Sequence, residues 1–149
     1  MGGGRPFSPK NKYSYTLIVM TNDEIVQYWL AEAEESLTVA DHLVAKKDYS
    51  YALFFGHLAV EKMLKALYVK RHQKSAIRTH DLGRLANHVG LSLVDIRADQ
   101  FDVMTTFNLE ARYPDYKRAF RNKCTSEYTK KWMNIIKENF TWLRSHLIS

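Results

Sequence analysis

From Thr21 onward, apolar residues return every three or four positions with polar residues between them, and no stretch shows the one-by-one alternation of a strand. The first such run is Ile25, Tyr28, Trp29, Ala33, Leu37, Ala40, Leu43 and Val44, with Glu32, Glu34, Glu35 and Asp41 on the other face. Thr21 followed by Glu24 has the spacing of a capping box, in which side chain and backbone satisfy each other's free groups. The pattern predicts a long amphipathic helix from Thr21 to near Lys46. The link Lys46-Lys47-Asp48 is so short that the next helix must run antiparallel, with Asp48 as its expected N-cap.

That second helix is apolar nearly all round in its first half, through Tyr49, Tyr51, Leu53, Phe54, Phe55, Leu58 and Val60, and turns basic toward His72. A surface helix needs one apolar stripe, so this one is the centre of a bundle or buries a second face in a dimer. A short third helix starts at Thr79 or His80 and ends at Gly90, which tolerates the left-handed conformation of a helix terminus. Ser92, with Asp95 three residues on, is the expected cap of a fourth helix with the stripe Leu93, Ile96, Phe101, Met104, Phe107 and Ala111. Pro114 stops it, because proline in a helix interior costs about 3 kcal/mol. Residues 114–124 are expected to be a basic loop. Thr125 caps a fifth helix with the stripe Tyr128, Trp132, Ile135, Ile136, Phe140, Leu143 and Leu147. The expectation is an all-α fold, an up-and-down four-helix bundle with one additional short helix.

Composition changes this picture little. A chain of 149 residues, 46% apolar and 26% charged, suits one domain with a real core. The single Cys124 cannot form an intrachain disulfide, so a reducing, cytoplasmic setting is expected. No run of eighteen apolar residues exists, and no membrane span is expected. The net charge of +6 invites a nucleic-acid reading, yet Arg5, Lys10 and Lys12 supply half of it from residues 1–20, which hold no acid. The remainder is only mildly basic, and no DNA specificity is expected. Residues 1–20 are read as a flexible N-terminal extension, with Met20 as the natural start, and residues 21–149 as the folded domain.

Several residues carry candidate chemistry. His57 and Glu61 lie four apart and share one helix face, either as a polar pair lining a pocket or as a satisfied buried pair. Glu61 is alternatively bonded simply to Lys62 or Lys65; a carboxylate at that depth needs a partner, for which Arg112 is the further candidate. His80-Asp81 sits at a helix start, where free N–H groups favour anions, although an aspartate there is ordinarily a cap. Arg112, Tyr113 and Asp115 precede Lys117, Arg118, Arg121 and Lys123, with Tyr116 and Phe120 interleaved. Cations among stacking rings suit a nucleotide or single-stranded RNA, and equally a solvated segment. The basic end of the second helix, Lys62 included, is either solvated or faces acidic residues of a partner. No pair of histidines stands four apart and no Glu-x-x-His occurs, so neither a metal nor another cofactor is expected. Cys124 near basic residues is a conceivable nucleophile without a placed base.

Three stretches in order resemble the HEPN family: His57-Leu-Ala-Val-Glu61-Lys62-Met-Leu-Lys65-Ala-Leu67, Thr79-His80-Asp81-Leu82, and Ala111-Arg112-Tyr113-Pro114-Asp115. The resemblance spans roughly residues 22–147. It implies a compact helical domain, commonly a homodimer, often encoded beside a small nucleotidyltransferase and in many cases part of a toxin–antitoxin pair. Some branches are metal-independent ribonucleases marked by an arginine and a histidine with four to six residues between them. Here no such pair exists: Arg84 and His88 have three residues between them, Arg71 and His80 eight.

The resulting expectation is a dimeric binding module for a nucleotidyltransferase-like partner or a nucleotide. Its ligand-binding candidates are His57, Glu61, Lys62, His80, Asp81, Arg112, Tyr113 and Asp115. The alternatives are a ribonuclease using Arg112, His80 or His57 in another arrangement, with histidine as the residue type that titrates near neutrality, and a structural scaffold.

Overall fold

The computed structural model describes residues 20–148, so the expected extension and natural start lie, except for Met20, outside the described residues. The order is α1 (Asn22–Ala45), α2 (Tyr49–His72), α3 (Leu82–Val89), α4 (Arg97–Arg112), α5 (Pro114–Lys123) and α6 (Ser126–Ser145), with no strand among the described residues. The all-helical expectation holds, with four long helices and two short ones.

The capping box forms as its spacing predicts. Thr21 accepts from the Glu24 amide, and the Glu24 carboxylate accepts from the Thr21 amide at 3.0 Å. Lys47 turns the chain between α1 and α2 at a positive φ of 65°, and the two 24-residue helices pack side by side. At about 1.5 Å per residue, each is roughly 36 Å long. Helix α2 is the central rod, packing against α1, α3, α4 and α6. It buries Leu53, Val60, Met63, Leu64 and Leu67 completely, which explains its near-continuous apolar sequence. Gly56 lets α6 approach, since a Cβ there would lie 2.6 Å from the Ile136 side chain. The end of α2 is tied to the chain's C-terminal segment by Lys70 Nζ donating to the Leu147 carbonyl.

Four local expectations need correction. Residues 114–123 form a helix rather than a loop. Pro114 ends α4 but also starts α5, because at N1 its missing N–H costs no intrahelical bond and its φ suits a helix. Asp48 stands before α2 but its carboxylate makes no capping bond. Helix α3 begins at Leu82 with Asp81 as its cap, later than Thr79 or His80. Helix α4 begins at Arg97 rather than behind a Ser92 cap: Asp95 takes a positive φ of 57°, breaking the helical path, and Ile96 is left exposed. Gly90, with φ of 91°, and Thr125, accepting from the Tyr128 amide, end α3 and cap α6 as expected.

Candidate functional site

Glu61 is a charged group deep in the bundle, only 3% exposed. It sits at the middle of α2 because the central helix buries every face there, so its carboxylate must find partners within the protein. Lys65 is one turn further along α2 and donates to Glu61 Oε2 at 2.9 Å. His80, from the segment before α3, donates Nδ1–H to Oε1 at 2.9 Å. A carboxylate is an acceptor only, so this bond assigns the Nδ1 proton to His80. Its ring is half exposed, and Nε2 has no partner among the described residues.

The segment carrying His80 is pinned from three sides. His57, completely buried, donates Nε2–H to the His80 carbonyl at 3.0 Å. Thr105 of α4 accepts from the Leu82 amide at 3.1 Å. Asp81 folds back to accept from the Arg84 amide and caps α3. His57 Nε2 is also 3.8 Å from Glu61 Oε1, while its buried Nδ1 meets no donor.

Burial opposes charge on both buried groups, with different outcomes. For Glu61, burial pushes the carboxyl up, but the hydrogen bonds from His80 and Lys65 and the Lys65 charge outweigh it, holding the group below its ordinary value. For His57, burial lowers the imidazole, and the bond to the His80 carbonyl and the Glu61 charge do not restore it. His57 is therefore neutral in the fold at neutral pH. The unfolded chain takes up this proton as pH falls through about 6.5, and the folded chain does so only at lower pH. Stability is thus fully present above that point and declines as pH drops below it. We expect urea denaturation between pH 6.5 and 5 to show a His57 contribution of up to about 1.4 kcal/mol per pH unit. His57→Gln keeps a donor for the His80 carbonyl and should flatten that slope; an unchanged slope would assign the acid sensitivity elsewhere.

The expected site residues divide clearly. His57, Glu61 and His80 converge. Asp81 borders them as a cap. Arg112 is not the partner of Glu61: it is exposed, its Nε bonds the Asn108 carbonyl at 3.2 Å, and its guanidinium lies 5.8 Å from the Tyr113 ring centre. The partners nearer in the fold, Lys65 and His80, have taken the carboxylate. Arg112 is still close enough for its charge to disfavour a protonated His57. Lys62 points the other way, bonding Ser36 Oγ at 2.9 Å and lying 3.6 Å from Glu32, both on α1. Tyr113 and Asp115 are exposed at the α4–α5 joint and have no bond to the cluster. Of the two lysines weighed as plain partners of Glu61, Lys65, four residues on along the same helix, is the one that forms the bond.

Beside the cluster runs a groove of about 580 Å³ lined by Tyr28, Trp29, Lys65, Ile77 and Arg78 among others. Lys65 links the two, with its ammonium 5.1 Å from the Trp29 ring centre while it holds Glu61. No group of three or more metal-ligating side chains occurs among the described residues. Burial raises the Cys124 thiol to about 12, with Glu110 adding to the effect, so no thiolate is available at neutral pH for the nucleophile considered above.

The comparison with curated proteins returned no match. Among solved structures, the chain is similar to the crystal structure of TT1696 from Thermus thermophilus, with a TM-score of 0.70 and 18% identity, covering 81% of this chain and 97% of that one. At that identity the likeness speaks for the fold. The HEPN domain model matches residues 26–146, a span that contains all three motifs and every helix that builds the Glu61 cluster, and the chain accordingly belongs to the HEPN domain family.

Proposed function

We propose that this HEPN domain is a dimeric binding module that takes a nucleotide-bearing ligand at the groove beside His80, and that a nucleotidyltransferase-like protein is its partner, in the manner of a toxin–antitoxin pair. The observation that carries the nucleotide reading is the continuity of the groove with the Glu61 cluster. Tyr28 and Trp29 offer ring faces for a base. Arg78 lines the same groove for a phosphate, two residues before the half-exposed His80, and a volume of about 580 Å³ suits a ligand of that size. Glu61 and His57 hold the His80 segment in place before any ligand arrives, which lowers the ordering cost of binding.

The test is calorimetric titration of the full chain with ATP, GTP and a short single-stranded RNA, with light scattering on the same samples. At least one ligand should bind, and His80→Ala and Arg78→Ala should each weaken it about tenfold, equivalent to roughly 1.4 kcal/mol. The scattering mass should be about twice 17.4 kDa. Equal affinity in both variants, or a mass near that of one chain, would overturn the proposal.

One feature favours a second reading. A carboxylate bonded to Nδ1 of a histidine whose Nε2 faces solvent is the arrangement of an oriented general base. RNA cleavage in EDTA that falls with His80→Ala would place the chain among metal-independent ribonucleases despite its lack of the arginine–histidine spacing.

A further inference from the structure

We propose a second anion site, separate from the His80 corner, in which the start of α2 binds the phosphate group of a small phosphomonoester. A cavity of about 330 Å³ opens there, lined by Lys47, Asp48, Ser50, Tyr51 and Arg121 among others. It lies eleven residues before Glu61 on the same helix, roughly 16 Å along the axis.

The first intrahelical bond of α2 is Ala52 N–H to the Asp48 carbonyl, and the amides of Tyr49, Ser50 and Tyr51 have no acceptor among the described residues. Most helices place a side-chain oxygen or an acid over these donors. Here the Asp48 carboxylate makes no capping bond and the first turn holds no acid, so the positive end of a 24-residue helix is left open. A second, independent observation points to a ligand. Ser50 is 7% exposed, lines the cavity, and its hydroxyl has no hydrogen-bond partner among the described residues. The side chain is more than nine-tenths buried, and its hydroxyl opens onto the cavity rather than onto a partner in the protein.

The side chains around it have the matching charge. Lys47 enters from the α1–α2 turn, and Arg121 from α5. Lys117, one turn before Arg121, lies 5.4 Å from the Tyr51 ring centre. Contact with Lys117, reinforced by the Arg121 charge, also lowers the Tyr51 phenol below its ordinary value. Three cations against Asp48 leave a net charge of +2, and three amides with one hydroxyl can serve several oxygens of one tetrahedral dianion. The cavity leaves room beside the phosphate for an organic group against the Tyr51 ring.

The test uses the full chain, 15N-labelled, titrated with inorganic phosphate and with adenosine 5′-monophosphate at constant ionic strength, chloride serving as control. The amide resonances of Tyr49, Ser50 and Tyr51 should move with both phosphates and not with chloride. The monophosphate should bind more tightly, since the cavity exceeds the bare ion; tighter binding of inorganic phosphate would overturn the assignment to a phosphomonoester. Arg121→Ala and Ser50→Val should each weaken binding about tenfold. Asp48→Asn should strengthen it severalfold by removing the repulsive charge. His80→Ala should leave it unchanged, so the two sites fail independently. Amides 49–51 that stay still, or affinity indifferent to Arg121 and Asp48, would overturn the site.

Discussion

Glu61→Ala should lower the stability of the fold by about 3 kcal/mol at neutral pH, free the His80 side chain and loosen its segment. Removing one partner of a buried ion pair costs about 3–5 kcal/mol, chiefly because the other charge is stranded. Lys65 is 17% exposed and can turn toward water, so the lower end of that range applies here. His80, half exposed, loses its fixed Nδ1–H donation and is then held only through its backbone by His57. Glu61→Gln separates charge from shape, since an amide oxygen still accepts from one partner but the attraction to Lys65 is gone. It should fall between wild type and Glu61→Ala. The pH dependence follows from the carboxyl being held below its ordinary value. The stabilisation is complete above about pH 4.5 and is lost as pH falls through the lower folded-state value. Urea denaturation at pH 7 and at pH 3.5, with hydrogen exchange across residues 78–82, reads both effects. A neutral Glu61→Ala variant with unchanged exchange there would mean that the carboxylate does not position His80.

Phe107→Ala should cost more, about 4 kcal/mol, from the 3–5 kcal/mol typical of a buried phenylalanine truncation. Phe107 is completely buried in α4, with its ring centre 5.6 Å from both Phe120 of α5 and Trp132 of α6. Three helices meet at this one ring, and Phe120 is the one residue that α5 buries in the core. Its loss leaves a cavity where the short polar helix α5 buries no other side chain, and removes two aromatic pairs worth about 0.5–1.5 kcal/mol each, partly contained in the total. For a domain of this size, about 4 kcal/mol lowers Tm by roughly 15 °C. Tyr113→Ala, at an exposed ring nearby, should change stability by less than about 0.5 kcal/mol. A loss below about 1 kcal/mol for Phe107→Ala would show that α5 is anchored elsewhere.

The departures from the sequence reading fall at α5, at the starts of α2, α3 and α4, and at Glu61. Residues 114–123 carry only a short apolar stripe, Tyr116, Ala119 and Phe120, of which Phe120 alone is buried, and so brief a period is easily passed over. Signals of another kind were present: proline at the first position, Asp115 in the first turn, Arg121 and Lys123 in the last, each complementing the helix dipole. At Glu61, the need for a buried partner was legible from burial and charge alone. Its identity was not, since Lys65, His80 and Arg112 were all cations or potential cations in reach of a helical bundle.

Local rules therefore settled the existence of the four long helices and of α3, the capping box at Thr21 and Glu24, the glycine stop at Gly90 and the threonine cap at Thr125, because each depends on groups within a few residues of one another. The sequence alone also marked α2 as the centre of the bundle or a helix with a second face in a dimer, and the packing of four helices around it shows it to be the central rod. Only the tertiary structure decided which cation satisfies Glu61, that Asp48 leaves the start of α2 uncapped, and that Lys62 turns toward α1. Those outcomes turn on distances between helices, which packing sets and the spacing of residues along the chain does not contain.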